Sequence, residues 1–171
     1  MKDKRSKSAG KKTPAKKSVS IDLLSPWLLL PVIVLLTYAV YAQCSRFEVT
    51  NWDDNHYIRE LLLIRSLSWD NIVMIFKTKV LLSYNPLVIL SFAVDYVTGG
   101  DSPGRYHMMN VYLHIINSVL VLAVFRELGV GARVASVVAL FFAIHPLHVE
   151  SVAWIASRKD VLFTFFFLLS W

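Results

Sequence analysis

The sequence has a single cysteine and few charged residues for its length. Cys44 is the only cysteine among 171 residues, which excludes an internal disulfide framework and a cysteine-based metal cage. Charged residues make up 18% of the chain and hydrophobic residues 56%, whereas a water-soluble domain carries about a quarter charged residues. This composition is typical of a protein that crosses a membrane several times.

Positive charge is concentrated at the N-terminus. Eight of the 18 lysines and arginines lie between Lys2 and Lys17, alongside one acid, Asp3. Residues 1–20 contain almost nothing to bury, so we predict a disordered, basic, cytoplasmic tail. Because the charge belongs to this one appendage, it does not indicate a nucleic-acid-binding globule, and we expect no nucleic-acid partner.

Apolar segments predict an all-α membrane protein with a transmembrane domain over residues 21–171. Residues 23–43 carry no charge and are long enough to cross a bilayer. The cations before them favour a cytoplasmic N-terminus. Further spans are predicted at residues 106–125, 134–147 and 161–171. The last of these stops within an apolar run, so we expect a fragment of a longer protein.

Residues 44–105 are predicted to form one large outer loop. Arg126 and Arg133 flank a short loop of the kind that stays in the cytoplasm. If residues 80–97 crossed the membrane, that arginine-containing loop would lie outside. We therefore predict that residues 80–97 form a buried or interfacial helix, preceded by two short amphipathic helices at the level of the lipid headgroups.

Two adjacent acids, Asp53 and Asp54, follow the first span. On residue type alone, helix capping is favoured, with Asn51 as the N-cap and Asp54 in the first turn. The alternative is catalysis by one general base with an orienting or metal-binding neighbour. Proximity of two carboxylates raises the pKa of one of them toward the working range.

A second polar cluster follows the short span. His145, His148 and Glu150 would suit Zn²⁺ or Mn²⁺, but their spacing is not that of a helical histidine pair. Polar groups in a wet cavity at the end of a short helix are the favoured interpretation. The sequence leaves the cofactor unknown, with a divalent cation among the alternatives.

Two cations stand next to the last predicted span. Arg158 and Lys159 lie on the outer side in this topology, against the positive-inside rule. They either extend to the lipid headgroups or bind an anion, for which the arginine offers bidentate hydrogen bonds to a phosphate.

Polar residues also recur along one face of the span at residues 106–125. Hydrogen bonding between helices is favoured over substrate contact for this polar stripe, which consists of His107, Asn110, His114 and Asn117.

Together, the motifs resemble the start of the transmembrane and tetratricopeptide-repeat (TPR) protein family. That family belongs to the GT-C superfamily of membrane glycosyltransferases and is similar to the protein O-mannosyltransferases. The resemblance extends from about residue 47 to the end. The matching motifs are Asn51-Trp52-Asp53-Asp54, Tyr84-Asn85-Pro86-Leu87, Ser91-Phe92 with Asp95-Tyr96, Tyr106-His107 with Asn110 and His114, His145 to Ala153, and Ser157-Arg158-Lys159-Asp160.

The resemblance implies a GT-C-like helical bundle that transfers a sugar, expected to be mannose, with inversion to protein hydroxyls. The implied partners are a polyprenyl- or dolichyl-phosphate sugar donor, a protein acceptor and membrane lipids. Transfer would occur on the outer or lumenal face of a bacterial plasma membrane or the endoplasmic reticulum. Because donor sites of the superfamily use later helices, we expect the isolated 171 residues to be inactive.

Site residues are implied by the same resemblance. Asp53 would be the base for the acceptor hydroxyl, supported by Asp54. Three residues would line the site, namely His145, His148 and Glu150. The donor phosphate would be neutralised by Arg158 and Lys159. Two other interpretations stand beside this one: a non-catalytic membrane anchor for a TPR partner-binding domain, and a transporter subunit whose polar stripe lines a path.

Overall fold

The computed structural model describes residues 26–171, so the predicted tail over residues 1–20 lies outside the described residues. Between residues 26 and 171 there is no β-strand, only an isolated bridge between Val80 and Ser83. The predicted all-α class is confirmed. The helices are α1 (Pro26–Tyr41), α2 (Trp69–Ile75), α3 (Pro86–Gly99), α4 (Pro103–Glu127), α5 (Ala132–Ile144), α6 (Val149–Ala153) and α7 (Arg158–Leu169).

Helix α4 is the centre of the bundle. It packs against α1, α5 and α7, and its 25 residues give it a length of about 37 Å. Two helical segments are apolar and long enough to cross a membrane, Leu28–Arg46 and Pro103–Glu127. A third is added if α5 and the segment Pro146–Ala153, which are bent by 47° at their junction, form one span. This arrangement is that of a membrane protein.

The bend after α5 follows from Pro146. Proline disfavours helical geometry in the preceding residue, and His145 is extended, with φ −66° and ψ 130°. Helix α5 therefore ends at Ile144, three residues before the end of the predicted span at residues 134–147. The chain continues through a 3₁₀ turn at Pro146–His148 into α6.

The segment between α1 and α4, predicted to be one outer loop, starts and finishes at the same end of the bundle. A 3₁₀ turn, Ala42–Arg46, follows α1 and packs against α4. A Cβ atom at Gly104, in the first turn of α4, would overlap the backbone carbonyl oxygen of Ser45. The chain therefore leaves α1 and enters α4 at adjacent points, and α3, with its N-terminal Pro86, lies within this excursion.

Gly104→Ala is expected to destabilise the protein, because the new methyl group meets backbone rather than a side chain that could move. Overpacking of this kind costs about 1–3 kcal/mol, to be measured as a lower unfolding temperature in detergent. Gly131→Ala is the matched control, since a Cβ atom there meets nothing within 4 Å. Equal unfolding temperatures for the two variants would contradict the close contact at Gly104.

The polar stripe of α4 holds the neighbouring segments by hydrogen bonds. His107 Nδ1 donates to the carbonyl of Ala153 at 2.6 Å, and Asn110 donates to the carbonyl of Trp154 at 2.9 Å. Further along the helix, His114 Nε2 donates to a carbonyl of α5 at 3.0 Å, and Asn117 donates to a carbonyl of α7 at 2.9 Å. All four side chains are buried. The predicted hydrogen bonding between helices is confirmed.

Candidate active site

Asp54 joins the two segments that the motifs single out. Its carboxylate is 0% exposed. One oxygen accepts a hydrogen bond from the backbone N–H of Ala156 at 2.8 Å, 102 residues away in sequence. The other accepts from the N–H of Thr50 at 3.2 Å and from the Thr50 hydroxyl at 2.7 Å. The acidic motif and the segment before Arg158 therefore lie side by side.

The predicted cap at Asn51 takes a different form. Its side-chain oxygen accepts from the Asn55 side chain at 2.7 Å rather than from a backbone N–H. The backbone N–H of Thr50 is instead capped by Asp54. Asp54 is thus both a local cap and a long-range link, because its two oxygens face different partners.

Asp53 takes no part in these hydrogen bonds. It is half-buried, and among residues 26–171 its carboxylate makes no hydrogen bond or ion pair. Burial raises the pKa of the Tyr57 hydroxyl, and the negative charge of the nearby Asp53 raises it further. A hydrogen bond with the Asn85 side chain acts in the opposite direction and lowers that pKa. Asp53 therefore lies within electrostatic range of the Tyr57 hydroxyl.

Asn85 also lines an apolar groove between α7 and the segment that precedes and includes the start of α3. The groove has a volume of about 310 Å³. Its rim carries the exposed Lys159, and its wall includes Phe163 and Phe166. A cation on the rim of an apolar groove suits a ligand with a negatively charged head and a hydrocarbon chain.

A larger cavity of about 860 Å³ opens beside the acidic motif, next to Asn51 and Trp52. Glu150 lines it together with Trp52, so it joins the same two segments. The remaining polar lining includes Arg46, Glu48 and His107. Asp53 is not among its lining residues.

Arg158 is buried within the protein rather than open to either cavity. It is 0% exposed and forms an ion pair with Asp95 of α3. Its Nε donates to Asn110 Oδ1 at 2.8 Å, and another guanidinium nitrogen donates to the Tyr106 carbonyl at 2.7 Å. The guanidinium also lies 4.3 Å from the ring centre of Phe92. The fold separates Arg158 from its neighbour Lys159, because helical geometry directs adjacent side chains to different faces.

Neither His145 nor His148 lines the cavity that Glu150 lines. His145 Nδ1 accepts from the N–H of Leu147 at 3.2 Å. His148 packs against Phe142, with ring centres 4.5 Å apart, and lines a small cavity of about 60 Å³ with Asp160. Within residues 26–171, no group of three or more His, Cys, Asp or Glu side chains is placed to hold a metal ion.

Asp54→Ala is expected to destabilise the protein, because it leaves the buried N–H of Ala156 without a partner. Hydrogen bonds to a charged group contribute about 1.5–3 kcal/mol each, so a clear fall in unfolding temperature is expected. Asp53→Ala is the matched control and should unfold near the parent temperature. An equal loss in both variants would show that Asp54 does not link the two segments.

The main site residue to which the sequence assigned no role is Asp95. Burial raises the pKa of its carboxyl, and the Arg158 guanidinium opposes that shift. The sequence could have indicated a role for Asp95, because a carboxylate within an apolar helix requires a partner for its charge. The partner itself, 63 residues away, follows only from the fold.

Comparison with known proteins identifies relatives over about half of the chain. Mouse protein O-mannosyl-transferase TMTC4 is 43% identical over 102 residues, covering 52% of this chain and 14% of that protein. Human protein O-mannosyl-transferase TMTC4 is 39% identical over 102 residues with the same coverage. Xenopus laevis protein O-mannosyl-transferase tmtc2 is 41% identical over 88 residues, covering 52% of this chain and 10% of that protein.

No protein-family profile and no solved structure matches the chain. The match spans at most about a seventh of each of these relatives. Within that span the resemblance inferred from the motifs is confirmed. Over about half of its length, this chain is similar to proteins named TMTC protein O-mannosyl-transferases.

Proposed function

We propose that this sequence forms part of a membrane glycosyltransferase that transfers mannose from a polyprenyl- or dolichyl-phosphate donor to protein hydroxyls. The names of the relatives support the mannose and the protein acceptor. The observation that carries the proposal for the site is the Asp54–Ala156 hydrogen bond, which brings the acidic motif beside the segment leading to Lys159.

The donor occupies the apolar groove in this proposal. Lys159 on the rim binds the donor phosphate, and the exposed phenylalanines of α7 contact the polyprenyl chain. When the bond between the sugar and the phosphate breaks, negative charge grows on the phosphate oxygen. A lysine at that position stabilises the leaving group more than the ground state.

Asp53 is the base for the acceptor. Its carboxylate is half-buried and not engaged elsewhere in residues 26–171, so it is available to take the proton of a serine or threonine hydroxyl. The hydroxyl oxygen then attacks the anomeric carbon from the face opposite the phosphate, which inverts the configuration. The Asp53 charge acts on Tyr57, which forms a hydrogen bond with Asn85 of the groove lining, and this supports placing Asp53 near the groove that carries Lys159.

The other predicted residues have supporting roles. Asp54 holds Asp53 against the bundle, and Arg158 positions the first turn of α7, and hence Lys159, through Asp95. Glu150 faces the larger cavity. His145 and His148 shape the turn between α5 and α6, beside the small cavity.

The proposed topology places all of these groups on one face of the membrane. The N-terminus is cytoplasmic, and the end of α1, the start of α4 and the start of α7 lie at the opposite, outer or lumenal face. Packing of the turn after α1 against the start of α4 supports this arrangement. Residues 44–105, between α1 and α4, would then form the side of the site that binds the acceptor.

Lys159→Ala in a full-length version is expected to lower kcat/KM for dolichyl-phosphate mannose by about tenfold to a hundredfold, with part of the loss in kcat because Lys159 stabilises the leaving phosphate. This range corresponds to the loss of one charge-assisted hydrogen bond. Transfer to a serine- or threonine-containing peptide in proteoliposomes measures it. Arg59→Ala, which removes an exposed cation outside the groove lining, should leave kcat/KM unchanged. Transfer from a nucleotide sugar but not from the lipid-linked donor would reject the proposed donor class.

A further inference from the structure

The turn before α3 presents two leucines to the outside of the protein. Val80 and Ser83 donate backbone hydrogen bonds to each other's carbonyls, both at 2.9 Å, so Leu81 and Leu82 form a two-residue hairpin tip. Leu82 is 99% exposed and Leu81 is 41% exposed. Within residues 26–171, Leu82 therefore contributes almost nothing to packing.

The backbone of this tip is unfavourable for leucine. Leu81 has φ 50° and Leu82 has φ 62°. A two-residue hairpin turn with positive φ at both positions favours Asn-Gly, and a bulky side chain in that region is an outlier. Strained residues of this kind cluster where a contact is made. Because fold stability disfavours leucine here, the side chains point to a partner outside the protein.

The residues beside the tip identify the partner as a lipid surface. Lys77 and Lys79 are exposed, and neither forms an ion pair with an acid of the described chain. Tyr84 is exposed, and its hydroxyl donates to the carbonyl of Phe76 at 2.9 Å. Apolar side chains flanked by lysines and an aromatic residue match the chemistry of the membrane–water interface.

The position of the tip agrees with this partner. Tyr84 lines the same groove as Phe163 and Phe166 of α7. These phenylalanines, together with Phe167, are exposed on the outside of that helix. Tyr84, next to the tip, therefore lies beside the exposed apolar surface of α7.

We propose that the Leu81–Leu82 tip inserts into the bilayer, with both side chains among the acyl chains and the ammonium groups of Lys77 and Lys79 at the lipid phosphates. The tip then anchors the outer loop to the membrane surface beside the groove. This anchoring does not depend on the transferase activity.

A fluorescent probe on Leu82→Cys tests the insertion. Cys44 is buried, so labelling reports residue 82. The chain is placed in nanodiscs of phosphatidylcholine and phosphatidylglycerol and exposed either to a nitroxide carried on a lipid chain or to aqueous iodide. We expect strong quenching by the nitroxide and loss of quenching by iodide. Glu60→Cys, at an exposed site whose partner is His56, is the control and should show the reverse pattern.

Two results would overturn the proposal. Iodide quenching at residue 82 as strong as at residue 60 would place the tip in water. Protection from both quenchers would place it against protein, either a later segment or a second copy. Adding Lys77→Glu and Lys79→Glu to the labelled protein should reduce nitroxide quenching, since the charges that hold the tip at the phosphates are reversed.

Discussion

Replacing Arg158 with alanine is expected to destabilise the protein more than either Asp54→Ala or Gly104→Ala. The guanidinium is fully buried, and the change leaves the Asp95 carboxylate as an uncompensated buried charge beside the orphaned Tyr106 carbonyl. Removing one partner of a buried ion pair costs about 3–5 kcal/mol. The measurement is the unfolding temperature in detergent, together with the yield of folded protein.

Lys159→Ala is the matched control for this experiment, because Lys159 is the next residue and is exposed. It should unfold near the parent temperature. The double variant Arg158→Met with Asp95→Leu should recover part of the loss, since it removes both charges together. If Arg158→Ala instead unfolds normally but loses affinity for the donor, the arginine binds the phosphate directly, as the family resemblance implies.

Asp53→Asn in a full-length version is expected to lower the transfer rate by about 10²–10⁴-fold, the usual contribution of a positioned general base. The amide keeps the shape of the side chain but cannot accept the hydroxyl proton. Because Asp53 makes no hydrogen bond within residues 26–171, membrane insertion and unfolding temperature should not change. Mannose transfer to a peptide in proteoliposomes gives the rate.

Asp70→Asn controls for the loss of a carboxylate in the same loop, since Asp70 is an exposed acid in the first turn of α2. Its transfer rate should equal that of the parent. Unchanged transfer in Asp53→Asn would remove the proposed base and favour the alternative, in which the acids only stabilise a membrane anchor for a TPR domain.

The sequence determined the helical class, the central span and the polar nature of one face of α4. These follow from local physics, because an uncharged run of sufficient length and a recurring polar stripe depend on neighbouring residues alone. Helix α5 ended at Ile144, earlier than the predicted span at residues 134–147, because Pro146 disfavours helical geometry in the residue before it. The motifs also indicated a resemblance to the transmembrane and TPR protein family.

The tertiary structure decided which of the charged residues are buried and which remain exposed. Arg158 and Lys159 are adjacent in sequence, and residue type alone makes both suitable for a phosphate, yet one is buried against Asp95 and the other faces the groove. Of the two adjacent acids, Asp54 is likewise buried, whereas Asp53 is half-buried. Burial and partner choice depend on segments 63 and 102 residues away, and the desolvation of a charge is set by that distant packing rather than by its neighbours in the chain.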